Sequence, residues 1–192
     1  MNDIDFYENN SDEYYERSHH LDLSHLYDLF CPLLSGKKIL DFGCGTGRDS
    51  KHFFQKGYDV TALDGSEKML AFTKKSCPDI KIVKSNFDHL PDDLGTFDGI
   101  WANASLVHLN ESQFVSTLKV LKGNLRKNAL LFISLKSEHS VPPRDEERRF
   151  TYWSPKQLKK TLKTGGYQIL KLSTQSVGST TWLNAISAVE KP

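Results

Sequence analysis

The segment Asp41-Phe42-Gly43-Cys44-Gly45-Thr46-Gly47 places three glycines at alternate positions, with a carboxylate before them and Arg48-Asp49 after them. Glycines so spaced allow a sharp turn and let backbone approach a ligand closely. A loop that holds pyrophosphate takes the spacing G-x-G-x-x-G and presents a helix N-terminus to the anion. Here the spacing is G-x-G-x-G, and Asp41 stands at the loop entrance. A carboxylate repels pyrophosphate and attracts a cation. The chemistry expected is binding of a ligand that carries positive charge, with Asp41 beside that charge.

Such a loop needs a strand before it and a helix after it. Ile39-Leu40 reads as the strand, and Phe53 and Phe54 mark a helix over about 48–56 that ends at Gly57. Helix and strand patterns alternate from there. Strands are expected at 60–63, 80–83, 97–102 and 129–135, and helices at 66–75 and 114–125. Residues 136–150 break the pattern with Pro142-Pro143 and the mixed charge run Arg144 to Arg149, and read as an exposed loop. Ser154-Pro155 starts a helix, with Ser as N-cap and Pro at the first position, and Gly165-Gly166 ends it. Strands at 167–172 and 185–189 follow, separated by a polar turn over 173–180. The alternation implies a mostly parallel sheet with helices on both faces. Two final strands with no helix between them imply an antiparallel hairpin at one edge. Ahead of all this, 21–34 has the spacing of an apolar helix, stopped by Gly36, and 1–20 is acidic and aromatic-rich.

Composition narrows the function. The 192 residues carry a formal net charge of +1, which argues against a dedicated nucleic-acid binder without excluding a local basic patch. Lys156, Lys159, Lys160 and Lys163 share one helix face, read as a solvated face. Cys31, Cys44 and Cys77 are far apart and form no C-x-x-C pair, so reduced thiols in a cytoplasmic protein are expected, with no metal site. The N-terminus has no signal-peptide h-region, and no apolar run is long enough to span a bilayer.

Asp41-Phe42-Gly43-Cys44-Gly45-Thr46-Gly47 resembles motif I of the class I S-adenosylmethionine-dependent methyltransferases, and the likeness continues in order along residues 36 to 192. Asp64 ends the second strand where that family places an acidic residue on the ribose hydroxyls, a task suited to two acceptor oxygens. Gly65-Ser66-Glu67-Lys68-Met69 resembles the next helix start, with Ser66 readable as a plain cap and Met69 as core or an adenine contact. Asn86-Phe87 falls at the family's adenine loop, where an acidic residue is usual and an amide oxygen can still accept. Phe97 to Leu109, with Asn103 and Ala104, is similar to the segment that borders the methyl donor. Arg126-Lys127-Asn128-Ala129 replaces the family's Pro-Gly-Gly turn, with Asn128 able to take the left-handed conformation. Gly47-Arg48-Asp49-Ser50, Ala104-Ser105-Leu106 and Ser134-Leu135-Lys136 resemble a small bacterial-type subgroup labelled tellurite-resistance-like.

The resemblance implies a Rossmann-like, doubly wound α/β fold with seven strands. It implies one domain, with 1–35 as a helical lid segment and 36–192 as the cofactor-binding core. The donor would be S-adenosylmethionine, leaving S-adenosylhomocysteine, while the near-neutral charge favours a small-molecule acceptor. Gly43, Cys44, Gly45, Gly47, Arg48, Asp64, Gly65, Ser66, Met69, Asn86, Phe87, Asn103, Ala104 and Tyr14 would hold the donor with Asp41. His108 is the expected general base, with His19 and His20 as alternatives. Arg17 or Arg48 would pair with the donor carboxylate, Tyr14 and Tyr15 would belong to the lid, and Tyr152, Trp153 and Trp182 would wall the acceptor. The competing readings are a tRNA or protein methyltransferase, a non-catalytic donor-binding protein and, least favoured, a nicotinamide oxidoreductase.

Overall fold

The computed structural model describes residues 3–142 and 148–189. Seven strands form one sheet in the order β3-β2-β1-β4-β5-β7-β6. They are β1 (Lys38–Phe42), β2 (Asp59–Asp64), β3 (Lys81–Lys84), β4 (Phe97–Asn103), β5 (Leu125–Lys136), β6 (Tyr167–Val177) and β7 (Thr180–Val189). The first five run parallel, and β7 pairs antiparallel with both β5 and β6. The expected fold class is therefore observed, including its edge hairpin. Among the described residues the α-helices are α1 (Asp3–Asn9), α2 (Ser11–Ser18), α3 (Ser24–Phe30), α4 (Arg48–Gln55), α5 (Glu67–Ser76), α6 (Glu111–Gly123) and α7 (Pro155–Thr164).

Strand alternation sends successive side chains to opposite faces, and each face has its own core. Ile39 and Trp101 join Phe30, Phe53 and Phe132 on one face, where the Trp101 and Phe132 rings stack at 3.8 Å. Leu40, Phe42 and Ile100 join Phe114, Trp153 and Leu158 on the other. Asp41 is in phase with Ile39, so its side chain goes into the first face, beneath α4. Successive strands run outward from β1 in opposite directions, to β2 on one side and β4 on the other. Beyond their carboxyl ends lies the crevice where open α/β sheets bind ligands.

Four details differ from the sequence expectation. The hairpin strands are each about five residues longer than expected, because the Ser/Thr-rich stretch 173–181 pairs residue by residue up to Val177 opposite Thr180. Gly178, at φ 58°, supplies the tight turn. The helix expected over 21–34 stops at Phe30 and continues as a short 3₁₀ turn, Cys31–Leu33, where Pro32 takes an N-terminal position. Strand β5 begins before Ala129 and passes through Asn128 in the left-handed conformation, φ 63°. Finally, the stretch 136–142 is not simply exposed. Lys136, Ser137 and Ser140 are buried, and the Ser137 and Val141 amides donate to the Thr181 and Ser179 carbonyls. Residues 143–147 of the charge run lie outside the described residues.

Candidate functional site

Loop 43–47 is built by backbone more than by side chains. The Gly43 and Cys44 amides both donate to the Leu63 carbonyl at the end of β2, at 2.8 and 2.9 Å. The Gly45 amide donates to Asp64 at 2.9 Å, and Ser66 N–H donates to the other Asp64 oxygen at 2.9 Å. Gly43 has φ 77°, and a Cβ there would meet Ser105 Cβ at 2.3 Å. Gly47 has φ 80°, and a Cβ there would meet Thr73 Cα at 2.8 Å. Both glycines are therefore required by conformation and by close approach.

A cavity of about 600 Å³ opens above this loop, within the range of roughly 300–1,000 Å³ usual for small-molecule sites. Eleven of the expected residues line it together: Gly43, Gly45, Asp64, Gly65, Met69, Asn86, Phe87, Asn103, Ala104, Tyr14 and His108. They come from five separate chain segments, which the topology brings to one crevice. Phe87 is held by stacking on Phe42 at 4.4 Å. Ala104 sits at φ 54°, a conformation that costs a non-glycine residue about 1–2 kcal/mol. Burial pushes the Asp64 carboxyl up, while the Ser66, Gly45 and Gly65 amides oppose that shift.

The other expected residues do not line the cavity. Asp41 is buried and accepts the Ser50 hydroxyl at 2.6 Å. Burial first, and then the charge of Asp49, pushes its carboxyl up to about 8. It therefore does not present the negative charge to a cation that the loop spacing suggested. The charged carboxylate of this loop is Asp49. Burial works against its ionisation, but Arg48 and hydrogen bonds from Arg48, Tyr27 and Trp101 hold it below the usual range. Its oxygens accept Tyr27 Oη at 2.7 Å, Arg48 Nε at 2.7 Å, Trp101 Nε1 at 2.8 Å and Asn103 Nδ2 at 3.1 Å. Arg48 Nη1 donates to the Ser18 carbonyl at 3.1 Å, so the side chain ties α2 to the start of α4 and does not line the cavity. Cys44 points toward Thr73, 3.6 Å away. Ser66 is the N-cap of α5, accepting from Met69 N–H at 3.2 Å.

The expected acceptor wall is corrected in the same way. Trp153 is fully buried and packs on Phe114 at 4.8 Å, as core between the sheet and α6. Tyr152 and Trp182 are absent from the cavity lining. Tyr15 and His19 stack on each other and Tyr15 on Phe72, at 4.0 and 4.6 Å, away from the cavity, and His20 packs against His19. Arg17 lies over the Tyr14 ring. The four lysines of α7 are all exposed.

The N-terminal helices cover the site with residues the sequence reading passed over. Asp3, Ile4 and Tyr7 of α1 line the cavity beside Tyr14 of α2. Ile4, Tyr7, Ser11, Tyr14 and Ser18 recur every three or four residues, the signal that marks one helical face. Glu8 accepts from the Glu67 amide at the start of α5, which pins α1 to the core. His108 lies in a 3₁₀ turn after β4, 3.0 Å from Tyr7 Oη and 2.7 Å from the Arg149 carbonyl. Burial pushes its imidazole down, against the pull of the Arg149 carbonyl and Asp3. Among the described residues no cluster of His, Cys, Asp or Glu has the arrangement of a metal site, and no helix is long and apolar enough to cross a membrane.

Comparison with known proteins agrees with this geometry. Residues 39–128 match the family model described as methyltransferase domain. An uncharacterized methyltransferase of Alkaliphilus oremlandii is 31% identical over 107 residues, which cover 54% of this chain and 49% of that protein. A malonyl-[acyl-carrier protein] O-methyltransferase of Pectobacterium atrosepticum is 40% identical over 60 residues, covering 31% of this chain and 24% of that protein. The chain thus spans half or less of the length of these curated relatives. In fold it is similar to the magnesium protoporphyrin IX methyltransferase of Synechocystis with bound S-adenosylhomocysteine, with a TM-score of 0.78, 15% identity and 97% of each chain covered.

Proposed function

We propose, from the match of residues 39–128 to the methyltransferase domain family model, that the chain is an S-adenosylmethionine-dependent methyltransferase for a small-molecule acceptor. The observation that carries this reading is the Asp64 carboxylate. It lines the cavity, the Gly45 and Ser66 amides bond it to the loop it steadies, and with the Gly65 amide also facing it the two carboxylate oxygens keep acceptor capacity for a ligand. Two adjacent hydroxyls, as on a ribose, fit that acceptor pair. Gly45 fits the same ligand, since a Cβ there would meet nothing nearer than Tyr14 at 3.9 Å, which leaves a backbone cradle open to the cavity.

In this reading Asn86 and Phe87 take the adenine with Met69 beneath it, and Gly43, Asn103, Ala104 and Tyr14 surround the amino-acid end. Asp41, Cys44, Gly47, Arg48 and Ser66 shape the loop and its anchors without touching the ligand. The bound donor supplies a methyl group on a positively charged sulfur, already activated for displacement. The protein's task is to hold the acceptor in line and keep water out, an orientation effect worth roughly 7–11 kcal/mol of barrier. His108, which lines the same cavity, is the candidate base. We include in the proposal a single domain, a lid made by residues 3–18, and a cytoplasmic location, which the free thiols of Cys31, Cys44 and Cys77 support. A small acceptor suits a cavity enclosed by the lid. The exposed lysines of α7 are not part of its lining, which disfavours a tRNA substrate.

Isothermal calorimetry with S-adenosylmethionine, S-adenosylhomocysteine and NAD tests the reading. The first two are expected to bind with micromolar affinity, and Asp64→Ala to weaken them by roughly 1.5–3 kcal/mol, because two buried hydroxyls lose a charged acceptor. Unchanged affinity in Asp64→Ala would remove the ribose assignment, and tight NAD binding alone would overturn the donor.

A further inference from the structure

We propose that Tyr7 and His108 work as one proton-transfer pair, Tyr7 taking the acceptor's proton while His108 Nε2 receives the proton Tyr7 gives up. The acceptor is then a hydroxyl or amine, a nucleophile with a proton to lose. This deepens the methyltransferase reading above and rests on it.

The hydrogen-bond pattern sets the direction of the pair. His108 Nδ1 is 2.7 Å from the Arg149 carbonyl, which can only accept. Nδ1 therefore carries the ring proton, and in the neutral imidazole Nε2 is bare. Tyr7 Oη lies 3.0 Å from that Nε2, so the phenol donates to it. The base expected from sequence thus has its lone pair occupied by Tyr7. A proton reaches His108 through Tyr7, which lines the cavity itself. The arrangement has the logic of an activated hydroxyl, a base and a third group that orients the base.

The step balances. The acceptor's lone pair forms the new bond to the methyl carbon, and the carbon–sulfur pair leaves with sulfur. The acceptor's proton passes to Tyr7 Oη as the Tyr7 hydroxyl proton passes to His108 Nε2. The positive charge lost at sulfur reappears on the imidazolium. Asp3, whose carboxylate is 3.4 Å from Nδ1, stabilises that charge. Arg148 and Lys136 oppose it, and burial keeps the resting ring neutral, as a base must be. Tyr7 faces Tyr14, Arg148 and Asp64, and burial pushes its phenol well up, so it serves as a relay that is never left as free phenolate. Arg148 Nη1, 3.4 Å from Tyr7 Oη, and the Phe150 ring stacked 4.9 Å from His108 hold the two groups in place. Because Tyr7 is on α1 and His108 follows β4, the pair exists only with α1 closed over the cavity.

The experiment reads the pair in two ways on the full chain. In the complex with S-adenosylhomocysteine, imidazole ¹⁵N resonances, assigned with His108→Gln, are expected to show His108 as the Nδ1–H tautomer, titrating below 6.5. Tyr7→Phe keeps the ring packing and is expected to shift Nε2 and the titration midpoint. With S-adenosylmethionine and simple phenol and amine probes, Tyr7→Phe and His108→Gln should each lower kcat about 100-fold or more with little change in KM for the donor. The double variant should be no slower than either single one. An Nε2–H tautomer, a His108 indifferent to Tyr7→Phe, or additive losses overturn the pair. Binding of S-adenosylhomocysteine on the same samples separates the two readings: loss of the pair with binding intact leaves the methyltransferase reading standing.

Discussion

The floor and the roof of the cavity are built on different principles. The floor is a set of strand ends and a glycine loop in which every turn is over-determined. Asp49 alone gathers donors from α3, α4 and two positions of β4. The roof is two short helices, of seven and eight residues, held by the Tyr7–His108, Glu8–Glu67 and Ser18–Arg48 hydrogen bonds and the Tyr15–Phe72 stack. No residue of α1 is fully buried. Helices of that length are marginal alone, so the roof depends on the surface it covers. On the proposed function, the contrast would give rigidity to the surface that binds the donor and opening to the entrance of the acceptor.

The largest effect that would sharpen this contrast is expected at Asp49. Asp49→Asn removes a buried charge while Arg48 and the other donors remain, and should destabilise the fold by about 3–5 kcal/mol, measured by urea unfolding. Asp41→Asn, a few residues away, should change stability by no more than about 1 kcal/mol at neutral pH, because the native carboxyl already carries a proton there. If the two substitutions were equally damaging, the division of labour between the carboxylates would be wrong.

A smaller effect is expected from pH. The Asp41 carboxyl binds its proton more tightly when folded than when unfolded. Its stabilising contribution is complete below 3.8 and is lost as pH rises toward about 8. Unfolding free energies measured across that window should slope downward less in Asp41→Asn than in the parent chain. An identical slope would show that other groups dominate. The smallest thermodynamic effect is expected at the roof. Arg48→Lys cannot form the same fork to Asp49 and the Ser18 carbonyl. It should make 3–18 the first segment cut in limited proteolysis, with protection restored by S-adenosylhomocysteine. Equal cleavage with and without that ligand would remove the roof from the site.

The floor was legible in sequence in detail, whereas the roof was legible only as a helical lid segment with Tyr14 and without Asp3, Ile4 and Tyr7, for physical reasons. Glycines with φ near +80° and a carboxylate at a strand end are local requirements, so their spacing survives in the chain as a readable pattern. The reading failed at Asp41, where residue type pointed to a ligand charge. Phase decided otherwise, since Asp41 shares a face with Ile39 and not with Phe42. It failed at Trp153 because a large aromatic after a loop reads equally as pocket wall and as core. It missed Tyr7 because the Ile4, Tyr7, Ser11, Tyr14 and Ser18 stripe crosses the break between two helices at Asn10 and contains two serines, so its apolar period is weak.

Hydrogen exchange with and without S-adenosylhomocysteine tests the central claim most directly, because it reads floor and roof in one experiment. Protection is expected over 43–47 and 64–69 and, to a larger degree, over 3–18, which exchanges fastest in the free chain. Protection of neither region, or of segments remote from the cavity alone, would contradict the claim that the two surfaces close on one donor.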